Sequence, residues 1–359
     1  MKMKFFNRQN SRAGVALIMV MIAIAVFSIL AAALWFSMKV ETHLAQRADN
    51  EQQLLWLGRS GVEYARWILS QEAGIAGQPY DSLNQIWAGG PGGPAETNSV
   101  LTGISLDDFP VGEGTVSIKI IDLERFVNIN NANSEELQQA LTLMGVDADS
   151  ISVVSDSIQD WIDTDDDPRI AGAESDYYQS LTPSYYAKNA PIDDLSELLL
   201  VKGVTPEMYY GGSLTNSSTP QKPKLGLGNS PDQAPDYLFG LKDIFTPVSS
   251  GKININTADT NVLQMIPGVD AATAETIIQQ RAGPDGVDGT EDDTPFRGIN
   301  QLAAAIGIKS QNLSRYCTTR SSTFEVHVTA KIGDSTREFV ATLFRNSGTD
   351  IQIVGFYWK

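Results

Sequence analysis

Residues 15–38 run for 24 positions without a charged side chain, and Ser28 and Ser37 are the only hydroxyl residues among them. At ~1.5 Å rise per residue a helix of this run spans ~36 Å, enough for a bilayer core of ~30 Å with some tilt. Lys39 and Glu41 close the run, and residues 1–14 carry Lys2, Lys4, Arg8 and Arg12 with no acid. This basic flank predicts an N-terminus on the cytoplasmic side and the remainder beyond the membrane. A secretory signal core is only ~7–15 residues long, so the run reads as an anchor that stays in place.

The apolar pattern then changes period twice. Leu54, Leu57, Gly61, Ala65, Ile68 and Leu69 recur every three to four positions, which predicts one helical stripe facing a sheet. Residues 71–93 are rich in glycine and proline and read as a loop. Residues 115–121 alternate, with Val116, Ile118 and Ile120 on one face, and so predict a strand. Three further alternating runs, 324–328, 339–344 and 351–357, are separated by Gly333-Asp334 and by Asn346-Ser347-Gly348. About 200 mostly helix-like and acidic residues separate the first strand from the others. The pattern therefore predicts an α+β fold: a helix on an antiparallel sheet, with a large all-α domain inserted into that sheet. The expected divisions are 1–14, 15–38, 39–122, 123–320 and 321–359.

The insertion contains a repeat. Asn128-Ile129-Asn130-Asn131-Ala132 followed by Leu137-Gln138 parallels Asn254-Ile255-Asn256-Thr257-Ala258 followed by Leu263-Gln264. Gly145-Val146-Asp147-Ala148 likewise parallels Gly268-Val269-Asp270-Ala271. Each unit reads as helix, tight glycine turn, helix, then acidic loop. Asn133 with Glu136 is the expected cap of the first unit, and Thr257 that of the second. Met265-Ile266-Pro267-Gly268-Val269, with Ala274, Ile277 and Ile278, resembles the helix-hairpin-helix motif, and Leu200-Val201-Lys202-Gly203-Val204 is a weaker copy of its turn. Such hairpins contact DNA through turn amides in some proteins. Here Asp270 occupies the turn, Asp259 and Glu275 lie close by, and Arg281 is the only basic residue of the second unit. Phosphate contacts need lysine and arginine, so a structural role is expected and nucleic acid is not an expected partner.

Charge sharpens this picture. The 43 acidic and 26 basic residues give a net charge of -17, which repels nucleic acid and anionic headgroups. A single cysteine, Cys317, excludes an internal disulfide. The two histidines, His43 and His327, lie too far apart in sequence to suggest a zinc site or a catalytic triad. No nucleophile-elbow or phosphate-binding glycine loop is present, so no catalytic residues are assigned and the chain does not read as an enzyme. The acids concentrate in two loops. Counting from Asp163, carboxylates at Asp163, Asp165, Asp167 and Glu174 fall at positions 1, 3, 5 and 12, with the Arg169 carbonyl at position 7 and Asp176 as a substitute ligand. That is the oxygen spacing of a calcium loop, except that Pro168 stands where such loops carry glycine. In the second loop Asp285, Asp288, Asp292 and Asp293 converge around several glycines. An all-oxygen donor set without histidine or cysteine points to calcium, at two sites. Residues 215–235 are polar and proline-rich and read as a long surface loop.

A basic leader ending in glycine and followed at once by the apolar helix resembles the prepilin leader, which a prepilin peptidase cleaves, here between Gly14 and Val15. The fifth position after that bond, usually glutamate in the pilin family, is Met19, and the first, usually phenylalanine, is Val15. With the split sheet, the hairpin insertion and the acidic loops, this is similar to the minor pseudopilin K family of type II secretion systems. The resemblance spans nearly the whole chain. It implies a methylated, single-pass inner-membrane protein with a periplasmic head. It also implies calcium, the minor pseudopilins I and J as partners, and contact with the pseudopilus and its inner-membrane assembly platform. The implied role is to cap the pseudopilus tip and start its assembly, so that folded proteins cross the outer membrane. The alternative is a membrane-anchored, competence-type DNA-binding protein.

Overall fold

The computed structural model describes residues 12–93, 99–212 and 237–359; the leader residues 1–11 and the 215–235 stretch lie outside the described residues. In chain order, helix α1 (Arg12–Ala73) precedes strands β1 (Phe109–Val111), β2 (Gly114–Asp122) and β3 (Val127–Asn128). Helices α2 (Ser134–Met144), α3 (Ala148–Ile162), α4 (Ser175–Gln179) and α5 (Pro206–Tyr210) follow. Then come β4 (Phe245–Thr246), β5 (Ile253–Asn254), α6 (Thr260–Leu263), α7 (Ala271–Arg281), α8 (Ile299–Ile306) and α9 (Ser310–Tyr316). The chain closes with β6 (Cys317–Thr318), β7 (Thr323–Ile332), β8 (Ser335–Arg345) and β9 (Ile351–Trp358).

Helix α1 serves two environments. Its first part exposes an apolar surface all round, and one stretch is long and apolar enough to cross a membrane. From Leu54 onward one face is buried, and Val62, Ala65, Ile68 and Leu69 are at most 1% exposed. Each such fully buried Val, Ile or Leu side chain contributes about 1.5–3 kcal/mol. Two glycines permit the close approach: a Cβ at Gly58 would overlap the Phe339 ring, and one at Gly61 would overlap Val328. The helix runs three residues into the segment read as loop, because Gln71, Glu72 and Ala73 are good helix formers, and it stops at Gly74.

The sheet has the order β1-β2-β7-β8-β9 and is antiparallel throughout. Val116, Ile118 and Ile120 pair with Ala330, Val328 and Val326, so the alternating residues of both strands meet on the face that α1 covers. All four strands read from the sequence are present; β9 starts at its expected residue, and the other ends are one to four residues longer.

The insertion leaves the sheet after β2 and returns at β7, and its junction is a buried polar cluster. Asp122 Oδ2 accepts from Thr257 Oγ1 (2.6 Å), Ser321 Oγ (2.7 Å) and Asn254 Nδ2 (3.0 Å). Glu124, fully buried, accepts from Ser322 Oγ and from the Thr323 amide. Asp81, from the segment after α1, pairs with buried Arg345 and accepts the Ser321 amide. Thr257 is thus spent on the junction, and Asp259 caps α6 in its place by accepting from the Asn261 and Val262 amides. Arg297 also donates to the Gly77 carbonyl, so the insertion is seated on the segment that follows the C-terminal end of α1, away from the apolar span.

The insertion is predominantly helical. Two parallel two-residue pairs, β3 with β4 and β5 with β6, add short ladders to the all-α expectation. Each ladder opens one repeat unit. Each unit then holds two hairpins, not one. Gly145 and Gly268 turn the first hairpins with φ of 85° each, a left-handed conformation glycine adopts without strain. Gly203 turns the second hairpin of the first unit, confirming the weak copy read there. Gly307, between α8 and α9, turns the second hairpin of the other unit, which the sequence pattern had not shown.

Candidate metal centre in the inserted domain

The two units are held by the same side chains. Asn128 Oδ1 accepts the Asn130 amide, and Asn254 Oδ1 accepts the Asn256 amide, each at 3.0 Å. Asn130 then exchanges two hydrogen bonds with the backbone of Ile192, and Asn256 does the same with Phe296. Each exchange pins the start of its unit to the strand of chain that leaves its acidic loop. The capping box of Asn133 and Glu136 forms as expected.

The first loop begins at the C-terminus of α3 and ends at α4. Asp163, Asp165 and Glu174 place one carboxylate oxygen each within 4.8 Å of one another. Glu174 is 3% exposed, and neither of its oxygens has a hydrogen-bond partner; one oxygen of Asp163 is likewise buried without a partner. Burial, reinforced by the charges of Asp160, Asp163, Asp166 and Asp165, pushes the Glu174 carboxyl up to about 8. A buried carboxylate without donors is costly unless a cation or a proton neutralises it. Neither nearby cation pairs with Glu174. Arg169 Nη1 binds Asp160 (2.6 Å) and Asp163 (2.5 Å), and Lys202 Nζ donates to the carbonyls of Ala171 and Gly172. The donor set is all oxygen, with His43, His327 and Cys317 far off in the sequence, so these residues fit a hard divalent ion such as calcium.

The remaining candidates sit differently. Asp167 and Asp176 are exposed and outside the three-carboxylate group. The Arg169 carbonyl accepts the Gly172 amide, while its guanidinium binds the loop's acids. Two residues that contact the loop were not among the ligands read from the sequence. Fully buried Asp160 anchors Arg169 from inside α3, where its helical setting gave no signal. Asn189 donates to the Asp165 carbonyl at 2.7 Å. Beneath the loop, Tyr178 stacks on Tyr185 and meets Trp161 edge-on, so this aromatic segment is core.

The second loop is built otherwise. Asp288 receives both Nε and Nη2 of buried Arg281 (3.0 and 2.6 Å), whose Nη1 donates to the carbonyls of Ile255 and Ala258. Asp292 accepts from the Asp285 amide and Thr290 Oγ1, and Asp293 from the Gly289 and Thr290 amides. Among the described residues, Asp285, Asp288, Asp292 and Asp293 do not form a group like that of the first loop. In the hairpin turn Asp270 accepts the Thr273 amide at 2.8 Å, so the helix N-terminus that a phosphate would use is already capped by a carboxylate.

A helix of membrane-spanning length whose far half packs on an antiparallel sheet, with a helical head inserted in that sheet, defines a pilin-like anchored subunit. A family model described as type II secretion system, protein K, matches residues 120–211, and one described as a helix-hairpin-helix motif matches 248–316. The two models fall on the two repeat units. The chain is 26% identical to type II secretion system protein K of Pseudomonas aeruginosa, over 95% of this chain and 91% of that one. It is 24% identical to the protein of the same description from Pectobacterium carotovorum, over 96% of each. A chain of the GspK-GspI-GspJ complex from the enterotoxigenic Escherichia coli type 2 secretion system superposes with a TM-score of 0.61 at 18% identity, covering 88% of this chain and 99% of that one. By these matches the chain is similar to type II secretion system protein K over nearly its whole length.

Proposed function

We propose that this protein caps the tip of a type II secretion pseudopilus and starts its assembly, as an anchored structural subunit and not as an enzyme. The observation that carries the reading is the placement of the insertion. It is clasped to the sheet through Asp122, Glu124 and Asp81, at the end away from the membrane-spanning stretch of α1. A bulky head there leaves the anchor free to enter a filament and obstructs a further subunit above. The anchor crosses the inner membrane with its N-terminus cytoplasmic, and a prepilin peptidase cleaves between Gly14 and Val15. Subunits I and J, the companions of the structurally similar protein, are its partners. Calcium neutralises the first loop through Asp163, Asp165 and Glu174, tying two ends of that loop together. The second loop offers Asp285, Asp288, Asp292 and Asp293 for a second ion. Support there is the donor chemistry alone, since its carboxylates already accept N–H and O–H donors.

The test is co-purification of the detergent-solubilised full chain with the I and J subunits of the same system, with and without a calcium chelator. A ternary complex is expected in calcium. If no complex forms in either condition, the tip reading fails. Retention of duplex DNA at low salt would instead favour the competence-type reading.

A further inference from the structure

Asn189 lies outside the acidic loop in sequence, yet three features direct its side chain to that loop. Its backbone is left-handed, with φ of 48°, a conformation few non-glycine residues adopt and one in which asparagine is enriched. Its Nδ2 donates to the Asp165 carbonyl at 2.7 Å and approaches Asp166 Oδ1 at 3.5 Å. Its Oδ1 is buried and has no hydrogen-bond partner. The orientation of the amide is fixed by chemistry, because a carbonyl oxygen at 2.7 Å requires the N–H side of the amide to face it. The acceptor side is therefore left without a partner, on a side chain whose nitrogen lies against Asp165 and Asp166 of a loop in which Glu174 and Asp163 oxygens also lack partners.

We infer that Asn189 Oδ1 is a neutral ligand of the cation held by Asp163, Asp165 and Glu174. The inference rests on the calcium reading of the first loop and deepens it. Calcium takes six to eight oxygens, and a neutral amide oxygen adds to the count without adding repulsion among carboxylates. Magnesium prefers six, several of them water, and gains less from the extra donor. The ion would then join residues 163–174 to the segment leading into the second hairpin, so that calcium orders the whole connection between the two hairpins of that unit.

The experiment is calorimetric titration of the solubilised full chain and two variants with calcium and with magnesium. Asn189→Gly keeps the left-handed backbone and removes the amide; Asn189→Asp keeps an oxygen and loses the N–H donors. The glycine variant is expected to bind calcium roughly tenfold or more weakly, with a smaller loss for magnesium. The aspartate variant is expected to bind calcium at least as tightly as the parent. Equal affinity of parent and glycine variant overturns the inference and leaves the calcium site standing. A fall in the aspartate variant matching that of the glycine variant also overturns it, by assigning the effect to the lost N–H contacts. A parent chain that binds no calcium removes the site itself and the inference with it.

Discussion

In the first repeat unit Glu174 is buried with both carboxylate oxygens unpartnered; in the second, buried Arg281 holds Asp288 with two hydrogen bonds. The framework around the two is the same. Gln159 donates to the Ala132 carbonyl from the end of α3, and Arg281 to the Ala258 carbonyl from the end of α7. A guanidinium thus stands in the second unit where the first has a neutral amide. The hydrogen bonds that shape the backbone are duplicated, while the charges within each loop are balanced separately. The second unit carries its positive charge in a side chain. The first pairs Asp160 and Asp163 with Arg169 but leaves Glu174 without a donor.

The strongest way to break this contrast is Arg281→Met, which leaves Asp288 and two buried carbonyls without their donor. It should lower the unfolding free energy by about 3–5 kcal/mol in denaturant titrations, in calcium or in chelator alike. A loss under about 1 kcal/mol would show that the guanidinium is not what holds the second unit.

Calcium should stabilise the parent chain by about 2.7 kcal/mol at a hundred times its dissociation constant, read as a rise in melting temperature, and Glu174→Gln should remove most of that rise. The same residue sets a pH dependence in chelator. Its folded carboxyl titrates near 8 against an ordinary value of 4.5, so the folded state binds the extra proton between those values. Stability of the metal-free protein should fall as pH rises through that window, and Glu174→Gln should flatten the fall. A parent whose stability rises across the same window in chelator would contradict the donor-free environment of Glu174.

Asn130→Ala and Asn256→Ala sharpen the shared part of the comparison. Asn130→Ala removes three hydrogen bonds to backbone, with Ile192 N and O and with Pro247 O, and Asn256→Ala removes two, each at a cost of about 1–3 kcal/mol by chemical denaturation. Asn256 should cost more, because it is 2% exposed and water cannot replace its partners as readily as at half-buried Asn130. A neutral outcome at either would separate the two frameworks.

The smallest effect lies in the sheet. His327 contacts Glu325 at 2.7 Å and Glu338 at 3.1 Å, and the Glu325 hydrogen bond leads in raising its pKa above 6.5. The contribution is complete below 6.5 and lost as pH rises through the elevated value. It should be under about 1 kcal/mol, insensitive to calcium, and absent in His327→Gln.

Local pattern made much of this legible. Apolar runs, period-two alternation and glycine turns identified the anchor, four strands, the helix stripe and the duplicated hairpin, because burial of alternate residues and left-handed turns constrain residue type directly. The carboxylates of Asp163, Asp165 and Glu174 were visible as a spacing. Thr257 was misread as a cap because its hydroxyl is claimed by Asp122, which lies 135 residues away in sequence. The hairpin at Gly307 was missed because its two helices, α8 and α9, span only eight and seven residues.

What the sequence determined by itself is the order of parts: anchor, sheet, duplicated acidic insertion, sheet. Each rests on side-chain periodicity that neighbours in the chain supply. What only the tertiary structure decided is which acids share one space. Asp160 and Asn189 approach the first loop from a helix and from a later segment. Arg281 reaches Asp288 from the end of α7. Such choices turn on burial and on which donors lie within about 3 Å of a given oxygen, and spacing along a chain does not fix either.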